Sequence, residues 1–236
     1  MVLTLSHPER HNELAPGMYA AAVEALNMAA DSNEVRCVVL TGEGNTFSGD
    51  TRLRTRQAGN VRPYGGAPAE LESLHNWIEE LRTFPKPVIA AVEGAAIGAG
   101  FSLALACDFV VAASNAVFEV AGSDGAAAGG ADWHLARFLP VQACSGLLMQ
   151  GEAITAQRLI DWGFVTQLSA PGRALDDALL LAQVLERQQP LALARAKEVR
   201  ESAATRNLQQ HLAAERNYFQ NEKPDDLFTD VAANTQ

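Results

Sequence analysis

The sequence predicts an α/β protein with a parallel sheet, followed by a C-terminal region made of helices. Short apolar runs such as Val88–Val92 lack the alternation of half-exposed strands and are typical of strands buried on both faces. They alternate with amphipathic segments of helical periodicity, the order that parallel α/β units require. Beyond Arg173 the pattern is helical. Apolar residues make up 48% of the 236 residues, enough for the core of one domain.

The first half of the chain contains two helical patterns and two apolar runs. Pro16 suits the first turn of a helix, and Val35–Thr41 ends in a glycine-containing turn, as a buried strand does. The predicted elements are a helix over Pro16–Asp31, a strand over Val35–Thr41, a helix from Leu71 to Leu81 that stops at Phe84–Pro85, and a strand over Val88–Val92.

The second half begins with a glycine-rich run and ends in helices. Thr155 is a predicted N-cap, and Gly163 suits the left-handed position that ends a helix. The predicted elements are a turn over Gly94–Gly100, a helix over Ser102–Cys107, strands over Phe109–Ala113 and Ala116–Val120, a helix from Thr155 to Trp162, a strand over Phe164–Leu168, and helices after Arg173.

The charge and cysteine content exclude several classes of protein. There are 18 Lys and Arg against 28 Asp and Glu, a net charge of −10, which disfavours binding to nucleic acid. The three cysteines, an odd number among apolar neighbours, indicate reduced core residues, and no zinc site is expected. The N-terminus does not resemble a signal peptide, and Gly94–Cys107 is too short to span a bilayer. We therefore expect a cytoplasmic protein with no membrane partner.

Three local features are candidates for a binding site. The strand at Val35–Thr41 leads to a turn containing Ser48 and Gly49, where free backbone N–H groups would lie at the carboxyl edge of the sheet. The run Gly94–Gly100 precedes an apolar helix, whose N-terminus favours negative charge. The segment Thr51–Ala69 carries four arginines and no acidic residue, which favours a phosphate-bearing ligand. A plain turn, close helix packing and solvated arginines are the respective alternatives.

Several motifs occur together in a distinctive order. They are HPERHNEL from His7, VVLTGEGNTFSGDTRL from Val38, KPVIAAVEGAAIGAGFSLALACDFVVAA from Lys86, and the stretch from Glu152 to Leu168. In this order they resemble the crotonase (enoyl-CoA hydratase/isomerase) superfamily over nearly the whole chain. Within that superfamily the chain resembles hydratase-like members that are associated with ring-opened aromatic CoA esters.

The resemblance implies a ββα spiral core over residues 1–170 and a C-terminal helical trimerisation region over residues 171–236. It implies a homotrimer or a hexamer, and an acyl-CoA thioester as substrate. Coenzyme A enters as part of that substrate, and no other cofactor and no metal is expected.

The resemblance also implies an oxyanion hole made by two backbone N–H groups, which hold the thioester oxygen as it becomes an enolate. They correspond to Thr51 and Ala99, and each such donor contributes about 3–4 kcal/mol to lowering a barrier. Further substrate-binding positions implied by the resemblance are Ser48, Gly49, Gly98 and Ser102 at the acyl end, Arg54 at the CoA phosphates, and Lys197 and Phe219 at the adenine end.

The chain departs from the family pattern at both catalytic glutamates of a hydratase. The first falls on Ser102 and the second near Gly122. Asp124 is the predicted substitute in acid–base catalysis, with a plain turn residue as the alternative. The other candidates have structural interpretations: Asp132 as a helix N-cap, Glu119 facing solvent by strand alternation, and His134 on a helix surface.

Two classes of function follow. The first is an enzyme that forms an enolate of an acyl-CoA, nominally a hydratase of 2-enoyl-CoA, with isomerisation, C–C cleavage or thioester hydrolysis open to the same oxyanion hole. The second is a CoA-thioester-binding protein of the same fold without catalysis. A nucleotide-binding module is excluded, since neither a phosphate loop nor a dinucleotide fingerprint is present.

Overall fold

The computed structural model describes residues 1–49, 68–120, 129–203 and 205–221, and its centre is a parallel sheet. The strands of this sheet are β1 (Val2–Leu5), β2 (Val38–Gly42), β3 (Val88–Val92), β5 (Phe109–Ala113) and β8 (Gln167–Ser169). They lie side by side in the order β1-β2-β3-β5-β8, and each neighbouring pair is parallel. The predicted α/β class with a parallel sheet is confirmed.

A second, smaller sheet lies at the end of β3. It consists of β4 (Ala95–Ile97), β6 (Val117–Glu119) and β7 (Ile154–Thr155), with β4 parallel to β6 and β7 antiparallel to it. The sequence predicts a turn where β4 lies. The strand forms because this short segment finds a partner in β6, more than twenty residues further on.

Helices cover both faces of the larger sheet. Those of the first 194 residues are α1 (Pro16–Asp31), α2 (Pro68–Thr83), α3 (Ala99–Ala106), α4 (Ala131–Phe138), α5 (Val141–Gln150), α6 (Ala156–Asp161) and α7 (Ala174–Glu186). Leu26 of α1 and Trp77 of α2 belong to the main core with Leu40 of β2. Ala178 of α7 packs with Val39 on the opposite face of the same strand. Burial on both faces explains why the strands read as continuous apolar runs.

Most predicted helix and strand boundaries agree with the structure. Thr155 caps α6, its Oγ1 accepting a hydrogen bond from the Arg158 N–H at 3.3 Å, and Gly163 after that helix has a left-handed φ of 79°. Strand β2 begins at Val38 and β8 at Gln167, each three residues later than predicted. In both cases the strand starts where a neighbouring strand, β3 for β2 and β5 for β8, begins to pair with it, which apolar patterning does not show.

The chain divides into two compact units, residues 1–194 and 195–236. Helix α8 (Pro190–Ala203) begins in the first unit and ends in the second, which also contains α9 (Leu208–Asn221). Helix α7, which follows the predicted boundary at residue 170, packs on the sheet of the first unit. The trimerisation role of residues 171–236 stays a prediction.

All three cysteines, Cys37, Cys107 and Cys144, are buried thiols. In the described parts of the chain, the helices are too short or too polar to cross a bilayer.

At the C-terminal end of α1, the Lys86 ammonium donates to the carbonyls of Ala29 and Ser32 at 2.6 and 2.7 Å. Burial there, reinforced by the charge of Arg36, lowers the pKa of Lys86 below its ordinary value.

Candidate active site

The two turns predicted as candidates lie against each other. Ser48, at the end of the first turn, forms a parallel bridge with Ala96 of β4. The Ser48 N–H donates to the Ala95 carbonyl at 3.0 Å, and the Ile97 N–H donates to the Ser48 carbonyl at 2.9 Å. These bonds join a segment that follows β2 to the glycine-rich run that follows β3.

Gly100 allows this close approach. A Cβ atom at residue 100 would lie 2.5 Å from the Ser48 Cβ and 2.8 Å from its Oγ. Real Cβ atoms do not come this close to other atoms, so a glycine is required here for steric reasons. This contact with Ser48 explains why residue 100 is a glycine, which its own backbone conformation does not require.

Hydrogen bonds from residues His11 and Asn12 fix the position of the first turn. The Asn12 amide donates to the carbonyls of Glu43 and Thr46 at 2.9 and 2.7 Å. The Asn12 carbonyl accepts the Ser48 hydroxyl at 3.0 Å, and the His11 carbonyl accepts the Gly49 N–H at 2.7 Å. The segment HPERHNEL therefore acts as a support for the turn.

The second turn presents backbone N–H groups at the start of α3. Gly98 has a φ of 59° and a ψ of −120°, and its N–H donates to the Glu119 carbonyl at 2.8 Å. The first bond within the helix runs from the Ser102 N–H to the Gly98 carbonyl at 3.1 Å, so the amide of Ala99 precedes it. Ala99 is half-buried between the buried Gly98 and Gly100.

This arrangement favours negative charge beside Ala99. The N-terminus of a helix carries partial positive charge on N–H groups that lack an intrahelical acceptor. Donors held in place by the fold stabilise a charge that develops during a reaction without reorganising first. The turn is therefore suited to an oxygen atom that becomes an oxyanion.

Ser102 lies one turn into α3 but is fully buried. Its Oγ donates to the Gly98 carbonyl at 3.4 Å and accepts the Ala131 N–H at 3.3 Å. A Cβ atom at Gly129 would lie 2.9 Å from the Ser102 Cβ. The hydroxyl thus joins the start of α3 to the start of α4, and its binding role stays a prediction.

The structure corrects two expectations about acidic residues. Asp132 is not the N-cap of α4, because the helix begins at Ala131 with Gly130 in the cap position. The Asp132 Oδ1 accepts the N–H of its neighbour Trp133 at 2.9 Å, and the Ser102 hydroxyl satisfies the first helical N–H instead. Glu119 does not face solvent: it is 7% exposed, at the last residue of β6.

His134 lies on α4 as predicted, and it is half-buried. Its Nε2 lies 3.4 Å from the Arg82 Nη1. The described residues contain no group of three side chains that could hold a metal ion.

Several predicted site residues cannot be compared with the structure. Thr51, Arg54 and Asp124 lie outside the described residues, as does most of the arginine-containing segment. Lys197 lies in α8 and is 8% exposed. Phe219 lies in α9, where only the course of the backbone is described. Of the predicted acyl-end residues, the structure brings together Ser48, Gly49, Gly98, Ala99 and Ser102.

Comparison with known proteins shows the family of the chain. The family model described as enoyl-CoA hydratase/isomerase matches residues 1–228. The 1,2-epoxyphenylacetyl-CoA isomerase of Escherichia coli strain K12 is 36% identical over 92% of this chain and 84% of its own. The 2,3-dehydroadipyl-CoA hydratase of the same strain is 34% identical over 93% of this chain and 85% of its own.

Solved structures support the same assignment. An enoyl-CoA hydratase from Polaromonas sp. JS666 superimposes with a TM-score of 0.82 at 50% identity, over 92% of this chain and 86% of that one. A monofunctional enoyl-CoA isomerase from M. smegmatis gives a TM-score of 0.75 at 31% identity, over 89% and 92% of the two chains. The chain therefore has the crotonase fold and belongs to the enoyl-CoA hydratase/isomerase family.

Proposed function

We propose that the protein is an acyl-CoA enzyme that works through an enolate, nominally as a hydratase of 2-enoyl-CoA or in the reverse direction. The enolate oxygen would be held by the backbone N–H groups of Thr51 and Ala99. The observation that carries the proposal is the contact between the Ser48 turn and the start of α3, which places a helix N-terminus beside the segment that leads to Thr51.

The proposed oxyanion hole acts on the charge that forms during the reaction. When a proton leaves the α-carbon of the thioester, or water adds to the β-carbon, negative charge moves to the thioester oxygen. Two backbone donors fixed by the fold stabilise that charge more than the neutral carbonyl, by about 3–4 kcal/mol each. The amide of Ala99 is available for this because it precedes the first bond within α3.

The remaining roles are proposals from the family resemblance. Arg54 would contact the CoA phosphates, and Lys197 and Phe219 the adenine end. Asp124 would transfer protons in place of the two glutamates whose absence the resemblance implies. The protein would work in the cytoplasm as a homo-oligomer, with no cofactor besides the CoA of its substrate.

The names of the relatives suggest which acyl groups to test. One acts on 1,2-epoxyphenylacetyl-CoA and another on 2,3-dehydroadipyl-CoA. We propose these two thioesters as candidates beside crotonyl-CoA. They differ in shape and charge, so the rates with the three substrates would report on the acyl pocket.

A second candidate function is binding of CoA thioesters without catalysis. The observation that favours it is the Ser102 hydroxyl, which is engaged in joining two helices. The family resemblance implies that Ser102 stands at the position of the first glutamate of a hydratase. A serine in this state is a poor general base. Tight binding without turnover of any of the three thioesters would support this alternative.

The test is the rate of acyl-CoA turnover in wild type and in Ala99→Pro. Proline is tolerated at the first position of a helix and removes the backbone N–H. Loss of one oxyanion donor lowers kcat about 100- to 1000-fold. Crotonyl-CoA hydration is followed by the loss of enoyl absorbance, and the other thioesters by chromatography.

The control is Val141→Pro, which places a proline at the first position of α5, where the side chain is 74% exposed. It is expected to keep wild-type kcat, and circular dichroism would check that both variants fold. Equal kcat in Ala99→Pro and wild type would contradict the oxyanion role of Ala99. Loss of turnover in Asp124→Ala would support Asp124 as the proton-transferring group, and unchanged turnover would remove it.

A further inference from the structure

The peptide group between Gly98 and Ala99 carries the proposed oxyanion donor at one end and a carbonyl at the other. A peptide group is rigid and planar, and in the trans form its N–H and C=O point in opposite directions. The peptide bonds that the structure describes are all trans. Whatever holds the Gly98 carbonyl therefore fixes the direction of the Ala99 N–H.

Ser102 holds this carbonyl with two groups. Its N–H donates to the Gly98 oxygen at 3.1 Å, and its Oγ donates to the same oxygen at 3.4 Å. A carbonyl oxygen has two lone pairs, so it accepts both bonds at once. The side chain of Ser102, and not only its backbone, thus contacts the peptide group that presents the Ala99 N–H.

The Ser102 hydroxyl is itself held in place by the start of α4. Its Oγ accepts the Ala131 N–H at 3.3 Å, and Ser102 is fully buried. The backbone of Gly129 lies so close that a Cβ atom there would be 2.9 Å from the Ser102 Cβ and 3.3 Å from its Oγ. These contacts keep the Ser102 side chain beside the Gly98 carbonyl.

Gly98 is a residue that needs such support. Its φ of 59° and ψ of −120° form a conformation that glycine adopts readily. Glycine also has the widest choice of other conformations, so Gly98 alone does not fix the peptide group that follows it. Rotation of this group would turn the Ala99 N–H away from the site, and the hydrogen bond from the Ser102 hydroxyl opposes that rotation.

We propose that Ser102 is a positioning residue of the oxyanion hole, whose hydroxyl holds the Gly98 carbonyl and thereby directs the Ala99 N–H at the thioester oxygen. The inference rests on the proposed acyl-CoA function. It gives Ser102 a role in the reaction besides its predicted contact with the acyl group. In this role Ser102 transfers no proton, and it affects the rate through the Ala99 donor.

The test is a double-mutant cycle on kcat with Ser102→Ala and Ala99→Pro, using the thioester that wild type turns over fastest. Loss of a whole oxyanion donor lowers kcat about 100- to 1000-fold, and displacement of a catalytic group by one ångström lowers it about 100-fold. We expect Ser102→Ala to lower kcat about 10- to 100-fold in the wild-type chain. In the Ala99→Pro chain, which has no N–H left to direct, we expect Ser102→Ala to change kcat less than about threefold.

Substrate affinity separates loss of positioning from loss of the binding site. Butyryl-CoA has no double bond to hydrate, so calorimetry measures its binding alone. Because the oxyanion donor acts mainly on the charge of the transition state, we expect Ser102→Ala to bind butyryl-CoA within about threefold of wild type.

Two further variants control for the loss of a buried hydroxyl. Thr41→Val removes a buried hydroxyl that also donates to a backbone carbonyl, that of Ala91 at 3.1 Å, and it is expected to keep wild-type kcat. Ser102→Cys keeps the size of the side chain with a weaker donor, so we expect a kcat between those of Ser102→Ala and wild type. The cysteine variant keeps the test informative even when Ser102→Ala folds poorly.

The infrared carbonyl band of bound butyryl-CoA, labelled with ¹³C at the thioester carbonyl, is a readout that needs no turnover. Hydrogen bonds to a carbonyl oxygen lower its stretching frequency. We expect the band in Ser102→Ala to move from its wild-type position toward that in Ala99→Pro. The band in Thr41→Val is expected to stay at the wild-type position.

The outcomes distinguish failure of this role from failure of the proposed function. A kcat and a carbonyl band in Ser102→Ala equal to those of wild type would overturn the role of Ser102 and leave the proposed function intact. Equal losses of kcat in the two chains of the cycle would also overturn it, because Ser102 would then act independently of Ala99. Binding of butyryl-CoA without turnover of any thioester would overturn the proposed function, and an unchanged band in Ser102→Ala would then overturn the role of Ser102 as well.

Discussion

Asn12 is fully buried and has a left-handed backbone conformation, with a φ of 56°. Asparagine adopts this conformation more readily than most residues. Its side-chain amide satisfies two carbonyls of the loop after β2 and accepts the His7 N–H at 3.0 Å. One side chain thus connects the segment after β1 to the first turn of the candidate site.

Asn12→Ala is expected to lower the free energy of unfolding by about 2–4 kcal/mol. The substitution leaves buried backbone groups without partners, at about 1–3 kcal/mol for each group, and puts alanine in a left-handed conformation. Urea denaturation measures the effect. Asn27→Ala, at an exposed position of α1, is the control and is expected to change stability by less than about 1 kcal/mol. Similar stability of the two variants would contradict the supporting role of Asn12.

At the scale of elements, the site depends on the approach of a turn to a helix. The turn after β2 meets β4 and the first turn of α3, where Ser48 lies against Ala96 and Gly100. The N-terminus of α3 becomes a candidate oxyanion hole because the turn lies beside it.

Gly100→Ala is expected to separate the turn from the helix. The added methyl group would meet the Ser48 side chain at 2.5 Å and its carbonyl oxygen at 2.9 Å. Overpacking of this kind costs about 1–3 kcal/mol. Because a shift of one ångström in a catalytic group costs about 100-fold in rate, kcat is expected to fall at least tenfold. Thermal unfolding and acyl-CoA turnover would measure the two effects.

Gly17→Ala is the matched control for this variant. A Cβ atom at Gly17, in the first turn of α1, has no atom within 4 Å. Alanine favours a helix over glycine by up to about 1 kcal/mol, so this variant is expected to be slightly more stable with unchanged turnover. A Gly100→Ala variant as active as Gly17→Ala would show that the close approach does not matter for catalysis.

At the scale of the whole molecule, the C-terminal unit leaves apolar side chains exposed in a single chain. Leu208 is 71% exposed and Leu212, one helical turn later, is 42% exposed. Exposed leucines at this spacing form an apolar stripe, which is typical of a helix that packs against a partner. Trimerisation through residues 171–236 stays a prediction.

We expect a native mass of three or six times the 25.2 kDa of one chain, measured by light scattering. Leu208→Glu places a charge on the apolar stripe and is expected to shift the mass toward that of one chain at low protein concentration. Gln209→Glu adds the same charge at the neighbouring exposed position and is expected to leave the mass unchanged. A wild-type mass of 25.2 kDa would contradict the predicted assembly.

The sequence by itself determined the α/β class, most of the elements and the two turns of the candidate site. Helical periodicity, apolar runs and glycines are local signals, and each is set by residues within one or two turns of chain. The Thr155 cap is of this kind, since its partner lies three residues away. The order of the motifs was sufficient to predict the family.

Only the tertiary structure decided the features that depend on partners distant in sequence. Strand β4 exists because β6 pairs with it, and α4 starts before Asp132 because Ser102 of another helix accepts its first N–H. Strand alternation predicts that Glu119 faces solvent, but in the structure its side chain is buried. Burial is a property of packing between elements, so a residue's neighbours in the chain predict which face it occupies and the fold determines whether that face meets water.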